Sequence, residues 1–216
     1  MNDLPPLLAL QPVTLSGRHA SLEPLAVEHA AELGQAVQDG DLWKLWYTPV
    51  PKPEAMRAEI ERRLQLQREG SGLPFAVRDA ESGELVGMTM FMAIDLTNRR
   101  LEIGGTWHAM RVQRGPLNTE CKRMLLSHAF DTLGCVAVEW RTHAMNMQSR
   151  RAIERLGAKL DGVLRSHRFA PNGTLRDTAV YSVIASEWPA VRSNLDWQLV
   201  KPRYTRRSPT GVEAPP

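Results

Sequence analysis

Hydrophobic positions change their spacing along the chain, and each spacing predicts one type of element. Apolar residues recur at helical spacing in four segments, 25–37, 54–68, 118–133 and 149–156. Alternating or β-branched runs between turn residues predict strands at 13–22, 75–78, 84–93, 101–107, 136–142, 163–169 and 175–184. The order β-α-α-β-β-β-α-β-α-β-β is typical of a mixed α+β domain with an antiparallel meander.

The two ends of the chain differ in character from the middle. Residues 1–12 are predicted to be an exposed lead-in, because Asp3 stands where a signal peptide carries positive charge. One domain is predicted over 13–188. The apolar residues of 189–201 predict a segment that docks onto this domain. Proline, serine and charged residues dominate 202–216, which predicts a disordered tail.

Composition narrows the classes of function. No run of 18 or more apolar residues occurs among the 216, so no membrane partner is predicted. Two cysteines predict neither a disulfide framework nor a metal site, and they favour the reducing cytoplasm. A net charge of +3, spread along the chain, raises the alternative of a nucleic-acid binder. No sequence motif for reading nucleic acid supports that alternative, so it ranks last.

A basic loop joins the strand at 101–107 to the helix predicted at 118–133. Backbone N–H groups at a helix start, together with the positive end of the helix dipole, form a natural anion site. Arg111 and Arg114 would add charge-assisted contacts to a phosphate, and Asn118 or Thr119 is predicted to be the N-cap. The pattern alone leaves an ordinary strand-to-helix connection as the alternative.

This loop resembles the acyl-CoA-binding motif of the GNAT N-acetyltransferase superfamily, Gln/Arg-x-x-Gly-x-Gly/Ala. Here the motif falls on Gln113-Arg114-Gly115-Pro116-Leu117-Asn118. Segments 146–157, 160–165 and 177–181 are similar to motifs of the Rim-type ribosomal-protein acetyltransferase branch, in the same order. The resemblance covers 13–188. Pro116 departs from the motif, because it replaces a glycine and removes one N–H donor.

The resemblance implies a GNAT-like fold, in which a mostly antiparallel, twisted sheet is flanked by helices and splayed near the acyl-CoA site. It implies transfer of acetyl from acetyl-CoA, or of another acyl group from its CoA thioester, by direct attack of a primary amine in a ternary complex. The acceptor is left open between a protein N-terminus and a small amine. A homodimer is compatible with the family, and no metal is expected.

The resemblance also implies which residues hold the coenzyme. Asn146 would bond the pantetheine arm and Ser149 would reach the sulfur, although a helix N-cap is the alternative role for Ser149. The expected cofactor-binding residues are Arg111, Val112, Gln113, Arg114, Gly115, Leu117, Asn118, Thr119, Asn146, Ser149 and Arg150.

Glu102 is the main catalytic candidate, because family members often place an acidic residue on this strand to deprotonate the amine through water. A solvated strand carboxylate is the alternative. Many GNAT enzymes carry an acidic tyrosine where this chain has Glu154, so Tyr181 is a weaker candidate for that role, with a place in the core as its alternative. His143 and His167 are weaker candidates still, because histidine titrates near neutrality.

Trp43, Trp46 and Tyr47 precede a proline-rich stretch. In GNAT proteins this region forms one wall of the acceptor groove, where aromatic rings attract a cationic amine. We expect one of the three to cover the core and another to line the groove. The departures at Pro116 and Glu154 support one other class, a non-catalytic acyl-CoA-binding or sensor protein of the same fold.

Overall fold

The computed structural model describes residues 10–170 and 172–201. Within these residues the chain forms eight strands and five α-helices, which confirms the predicted mixed α+β class. The strands are β1 (Leu15–Ser16), β2 (Ala20–Pro24), β3 (Gly72–Asp79), β4 (Leu85–Asp95), β5 (Arg100–His108), β6 (Ala137–His143), β7 (Lys159–Phe169) and β8 (Leu175–Ile184). The helices are α1 (Ala30–Ala36), α2 (Met56–Arg68), α3 (Leu117–Ser127), α4 (Met147–Arg155) and α5 (Trp188–Val200).

All eight strands belong to one sheet, in the order β1-β2-β3-β4-β5-β6-β8-β7. Every neighbouring pair is antiparallel except β5 and β6, which run parallel. These two strands pair only from Arg100↔Ala137 to Glu102↔Glu139. Beyond that point β5 stays with β4, and β6 stays with β8. The sheet is therefore splayed between β5 and β6, as the resemblance implies.

A bend in β5 follows directly after the last paired residue. Gly105 has a φ of +57°, in the region that glycine adopts readily. On one face of the sheet, Arg63 of α2 donates from Nη1 to the Gly105 carbonyl at 2.9 Å and pairs with Glu59 at 2.7 Å. A side chain at position 105 would approach the Arg63 guanidinium to 3.1 Å. The bend thus depends on both glycine and a buried arginine.

Lys122 of α3 holds the opposite face of the same bend. Its ammonium donates to the hydroxyl groups of Thr89 on β4 and Thr106 on β5, at 3.0 and 2.7 Å. Complete burial lowers the pKa of Lys122 to about 8. A buried cation needs such partners, and these tie α3 to the point where β5 leaves its regular pairing.

Two hydrophobic clusters lie on the two faces of the sheet. The larger contains Leu101 and Ile103 of β5 together with residues of α3, α4 and α5. The smaller contains Trp107 of β5 with residues of α1 and α2. Because strand side chains alternate between faces, Glu102 belongs to the face of α1 and α2, as its position between Leu101 and Ile103 predicts.

Two predictions about helix ends need correction. α3 begins at Leu117 with Pro116 as its N-cap residue, so the predicted caps Asn118 and Thr119 are wrong. The φ of Pro116 is −73°, which suits a helix start. The segment predicted to dock at 189–201 is part of α5, in which Leu195 is buried but Trp197 is 59% exposed. The expectations for 1–9 and 202–216 lie outside the described residues.

Glu120 fastens the first hairpin to α3. Its carboxylate accepts three backbone N–H groups from the turn between β1 and β2, those of Arg18, His19 and Ala20, at 2.9, 2.5 and 2.9 Å. Gly17 leaves room for this contact, since a Cβ there would overlap the Glu120 carboxylate. One side chain therefore satisfies a whole turn of buried or half-buried donors.

We expect Glu120→Ala to lower the free energy of unfolding by about 3 kcal/mol or more, because an unsatisfied buried donor costs roughly 1–3 kcal/mol. Urea unfolding followed by circular dichroism measures the change. Glu81→Ala is the control, since Glu81 is exposed and a surface substitution costs less than about 0.5 kcal/mol. Equal losses in the two variants would contradict the anchoring role.

Candidate active site

Two carboxylates stand side by side where β5 and β6 begin to diverge. Glu102 and Glu139 are the last paired residues of the two strands. Glu139 accepts a hydrogen bond from Arg141 at 3.0 Å and pairs with Arg100. Glu102 has a looser partner, because its Oε2 lies 3.8 Å from the Arg141 guanidinium. Of the two carboxylates, Glu102 is the one with capacity to accept another donor.

The environment of Glu102 weakens its acidity. Burial raises the pKa of the Glu102 carboxyl, and the positive charges of Arg141, Arg168 and Arg176 offset only part of this effect. Only 8% of the residue is exposed. A carboxyl with a raised pKa is a better proton acceptor at neutral pH than an ordinary surface carboxylate.

The start of α3 presents free backbone donors. In the part of the chain that the structure describes, no side chain caps this helix. Arg114, just before it, is exposed and has a φ of +59°. A left-handed residue in such a loop turns successive N–H groups toward one side, which suits an anion. Arg114 has no recorded ion pair with any described residue. These features favour an anion site at the predicted place.

Other residues predicted to contact the coenzyme are engaged within the protein. The Arg111 guanidinium lies 3.3 Å from Asp39 and 2.7 Å from Glu84. Thr119 is buried, and its hydroxyl accepts from Arg155 at 3.0 Å. These contacts direct the two side chains away from a phosphate, so Arg114 is the better candidate.

Four further residues shape the anion site, three in the loop and one in the first turn of α3. Gln113 donates from Nε2 to the His108 carbonyl at 2.8 Å. Val112 packs against the larger core cluster, and Gly115 is half-buried before the helix. Asn118 is paired through Oδ1 with the His108 ring at 3.2 Å. Together they fix the conformation of the loop.

Asn146, and not Ser149, caps the helix α4. Asn146 is the N-cap of α4, and its Oδ1 accepts the Ser149 N–H at 3.0 Å. The capping alternative for Ser149 is therefore wrong. Its hydroxyl has no hydrogen-bond partner among the described residues. Gln148, between them, donates to Gln113 at 3.4 Å, which brings the start of α4 beside the loop before α3.

Arg150 and Tyr181 form a network on the α4 side of the sheet. Arg150 donates to the Tyr181 hydroxyl at 2.8 Å and to the Ala144 carbonyl at 3.2 Å. Tyr181 is fully buried in the larger core cluster and donates to Glu154 at 2.7 Å. These contacts favour the alternative role of Tyr181 as a core residue, because its hydroxyl is buried and already hydrogen-bonded. Arg150 likewise holds the core rather than an open surface.

His143 ends β6 beside the aromatic loop. Its ring makes an edge contact with Trp46, with centroids 5.1 Å apart. Nδ1 accepts the Met145 N–H at 3.1 Å, so the neutral ring carries its proton on Nε2. Burial, and then the charge of Arg176, lower the pKa of His143, although Asp177 acts in the opposite direction. At neutral pH the ring is uncharged and can donate from Nε2.

The three aromatic residues take different places. Trp43 packs against the smaller core cluster. Trp46 is 46% exposed and lines a cavity of about 650 Å³ together with His143. Tyr47 lines a neighbouring cavity of about 310 Å³. His167 lies on β7, and its Nδ1 forms a hydrogen bond with the Thr178 hydroxyl at 3.1 Å.

Sequence reasoning missed the arginines of this face. Arg141 lies on β6, Arg168 on β7 and Arg176 on β8. A signal was present, since the sequence Pro171-Asn172-Gly173 between the predicted strands is typical of a hairpin turn, which fixes the pairing of the flanking strands. That pairing places Arg168 opposite Arg176. Arg141 and Glu139 could have been found from strand alternation, because both share a face with His143.

Within residues 10–170 and 172–201, no helix is long and apolar enough to cross a membrane. The same residues contain no group of three or more histidine, cysteine, aspartate or glutamate side chains placed to hold a metal ion.

Comparison with known proteins gives the family. The sequence model of the acetyltransferase (GNAT) domain family matches residues 20–159 of this chain. The chain belongs to the GNAT acetyltransferase family. A GCN5-related N-acetyltransferase from Brucella melitensis is 32% identical, with a TM-score of 0.83 over 92% of this chain and 90% of that one. The N-acetyltransferase p20 of Bacillus licheniformis is 26% identical over 81% of this chain and 98% of its own length.

The GNAT fold extends to a more distant structure. RimJ of Mycobacterium smegmatis, solved in complex with CoA-disulfide, is 20% identical, with a TM-score of 0.75 over 87% of this chain and 95% of that one. GNAT proteins are N-acetyltransferases that take the acetyl group from acetyl-CoA, so the splayed sheet described here belongs to an enzyme of that class.

The raised pKa of Glu102 predicts how stability depends on pH. The folded state favours the protonated carboxyl, so this group stabilises the protein at low pH, and that contribution is lost as pH rises through the folded-state pKa. The Glu102→Gln variant has no ionisable group at this position, so its stability lacks this dependence on pH. We expect its melting temperature, relative to the wild type, to be higher at pH 8 than at pH 5. Thermal unfolding at both pH values measures this, and the reverse order would contradict the desolvation argument.

Proposed function

We propose that this protein transfers an acetyl group from acetyl-CoA to a primary amine, with both substrates bound at once. The observation that carries the proposal is the divergence of β5 and β6 directly after Glu102. The proposal assigns the buried Glu102 carboxylate, the uncapped start of α3 and the free Ser149 hydroxyl to the gap that this divergence opens. The contact between Gln113 and Gln148 supports this assignment, because it brings the start of α4 beside the loop before α3.

The residues at the start of α3 fit the diphosphate of the coenzyme. Anions bind at helix starts because backbone N–H groups and the helix dipole act together. Pro116 removes one donor, but the helix begins without distortion and its other first-turn amides are uncapped. Arg114 adds a positive charge beside them. The departure at Pro116 is thus compatible with binding.

Asn146 and Ser149 fit the pantetheine arm and the sulfur. The Asn146 Oδ1 is used as the cap of α4, which leaves its Nδ2 to donate to a ligand carbonyl. The Ser149 hydroxyl is positioned to donate to the sulfur as it leaves. Acetyl-CoA supplies the activated acetyl group, and these side chains orient it.

Glu102 performs the proton transfer. The acceptor arrives as an ammonium ion, and its nitrogen can form the new C–N bond only after it loses a proton. Glu102 takes this proton, directly or through water, before the free amine attacks the thioester carbonyl. When the resulting tetrahedral intermediate collapses, the carbon–sulfur bond breaks and the nitrogen gives up its second proton. The CoA thiolate takes up one proton, which the Ser149 hydroxyl or water relays. The raised pKa of Glu102 suits this task.

We expect Glu102→Gln to lower kcat/KM for an amine acceptor by about 10²–10⁴-fold, the range of general base catalysis. The acidic limb of the pH profile should vanish, since it reports the Glu102 carboxyl. Thiol release from acetyl-CoA with a panel of amines measures both effects.

Glu139→Gln is the matched comparison for this variant. Arg100 and Arg141 already occupy the Glu139 carboxylate, so its loss should cost less activity. A larger loss in Glu139→Gln, or an unchanged profile in Glu102→Gln, would remove Glu102 from the mechanism. If the wild type binds acetyl-CoA but acetylates none of the amines, the sensor alternative applies.

We expect Arg114→Ala to raise the Kd for CoA by about tenfold, because a charge-assisted hydrogen bond contributes roughly 1.5–3 kcal/mol. Arg111→Ala should change it little, since Asp39 and Glu84 already neutralise Arg111. Calorimetry with CoA, and with pantetheine as a ligand lacking the diphosphate, measures both. An equal effect of Arg114→Ala on pantetheine would contradict the phosphate contact.

A further inference from the structure

Two arginines face each other across the β7–β8 hairpin. Arg168 and Arg176 are direct register partners on the two antiparallel strands. Like charges placed opposite each other destabilise a sheet. Neither guanidinium forms an ion pair with any described residue. Arg176 is held in place by its Nε, which donates to the Thr178 hydroxyl at 3.2 Å. This pair therefore presents two positive charges, neither of which has a carboxylate within ion-pair distance among the described residues.

The two arginines line the cavity of about 310 Å³, together with Tyr47 and His143. No described residue of its lining carries a carboxylate. A volume of this size corresponds to about ten water molecules, at roughly 30 Å³ each. The cavity therefore has room for a small molecule with about that number of heavy atoms.

The nearby acidic side chains already have partners. Asp177, on the neighbouring cavity, accepts from Arg165 at 2.7 Å and from the Ser166 N–H at 2.7 Å. Glu139 is held by Arg100 and Arg141. The charges of Arg168 and Arg176 both lower the pKa of Glu102, although burial raises it by more. The charges of the two arginines therefore act on the proposed base, Glu102.

Partial burial adds a cost for Arg176, whereas Arg168 is exposed. The pKa of Arg176 is lowered by burial and then by the charge of Arg168. An anion between the two guanidinium groups would remove this repulsion and supply acceptors for their N–H groups. A planar carboxylate matches a guanidinium in a bidentate contact.

We propose that Arg168 and Arg176 bind the carboxylate of the acceptor, which makes the acceptor class a small primary amine that carries a carboxylate, such as a free amino acid. This inference rests on the proposed function, because it concerns the second substrate of the same site. Arg176 shares the sheet face of Glu102, so the carboxylate would be held by the hairpin while the amine points toward the base. The positive charges also favour release of a proton from the bound ammonium.

The test compares amines that differ only in charge. The common amino acids, their C-terminal amides and the corresponding amines without a carboxyl group are assayed with acetyl-CoA and the wild-type enzyme. We expect kcat/KM for at least one amino acid to exceed that for its amide by tenfold or more. Arg168→Ala and Arg176→Ala should each lower the ratio of kcat/KM for the amino acid to kcat/KM for its amide by about tenfold. This ratio cancels any effect of the substitutions on Glu102, because Glu102 acts on both substrates.

Arg165→Ala is the matched control, since Arg165 is an exposed arginine of the same hairpin that pairs with Asp177. Its kcat/KM for the amino acid should stay at the wild-type value. Melting temperatures check folding. We expect the Arg168→Ala and Arg176→Ala variants to be at least as stable as the wild type, because each removes a like-charge contact.

Calorimetry on the CoA-bound protein separates the two proposals without requiring turnover. Binding of the amino acid, lost in Arg176→Ala and absent for the amide, supports the carboxylate site even if acetyl transfer fails. Acetylation of neutral or cationic amines at least as fast as amino acids would overturn the carboxylate site and leave the proposed function standing. Preference for aminoethylphosphonate over every amino acid would overturn the assignment of a carboxylate.

Discussion

The short parallel pairing of β5 with β6 is the constraint on which the site depends. The two strands share register only through Glu102 and Glu139, and then each follows a different antiparallel neighbour. Beyond this point their facing edges carry backbone groups with no strand opposite them. Backbone polar groups need partners, so an extended ligand with amide groups suits the gap. Arg63 and Lys122 stabilise the bend of β5 from opposite faces, which makes the gap a fixed feature of the fold.

The same divergence decides the chemistry of Glu102. A strand carboxylate that faced water would be an ordinary acid with a low pKa. Here the carboxyl is buried, while three arginines from β6, β7 and β8 favour its charged form. Burial is the larger effect. The balance produces a carboxyl that can accept a proton without being held by a tight ion pair, in contrast to Glu139 beside it.

Much of the fold could be predicted from periodicity, because turn residues separate segments with clear helical or strand spacing. The errors have local causes. The start of α3 was predicted too late in the sequence, because Asn118 and Thr119 are good capping residues. In the structure both side chains instead form tertiary contacts, with His108 and Arg155. In α4 the cap is Asn146, three residues before Ser149. The helical form of α5 was missed, since its exposed Trp197 breaks the pattern.

The candidate site could be predicted only where a motif carries it. Glu102, Arg114 and Asn146 come from segments that resemble family motifs, whereas the side chains that claim Arg111 and Thr119 lie far away in sequence. The arginine cluster depends on strand register, which no motif encodes.

The arginines of the β7–β8 hairpin show why register carries functional meaning. This hairpin does neutralise one guanidinium, since Arg165 pairs with Asp177, the residue next to Arg176. Arg168 and Arg176 have no such partner among the described residues, although exchanging either for a neutral residue would remove a repulsive contact. A sheet that balances its other charges but leaves these two opposed at a cavity holds an unfavourable interaction in the free protein. A carboxylate on the proposed acceptor would relieve that repulsion, so the cost in the free protein would contribute to selection of the substrate.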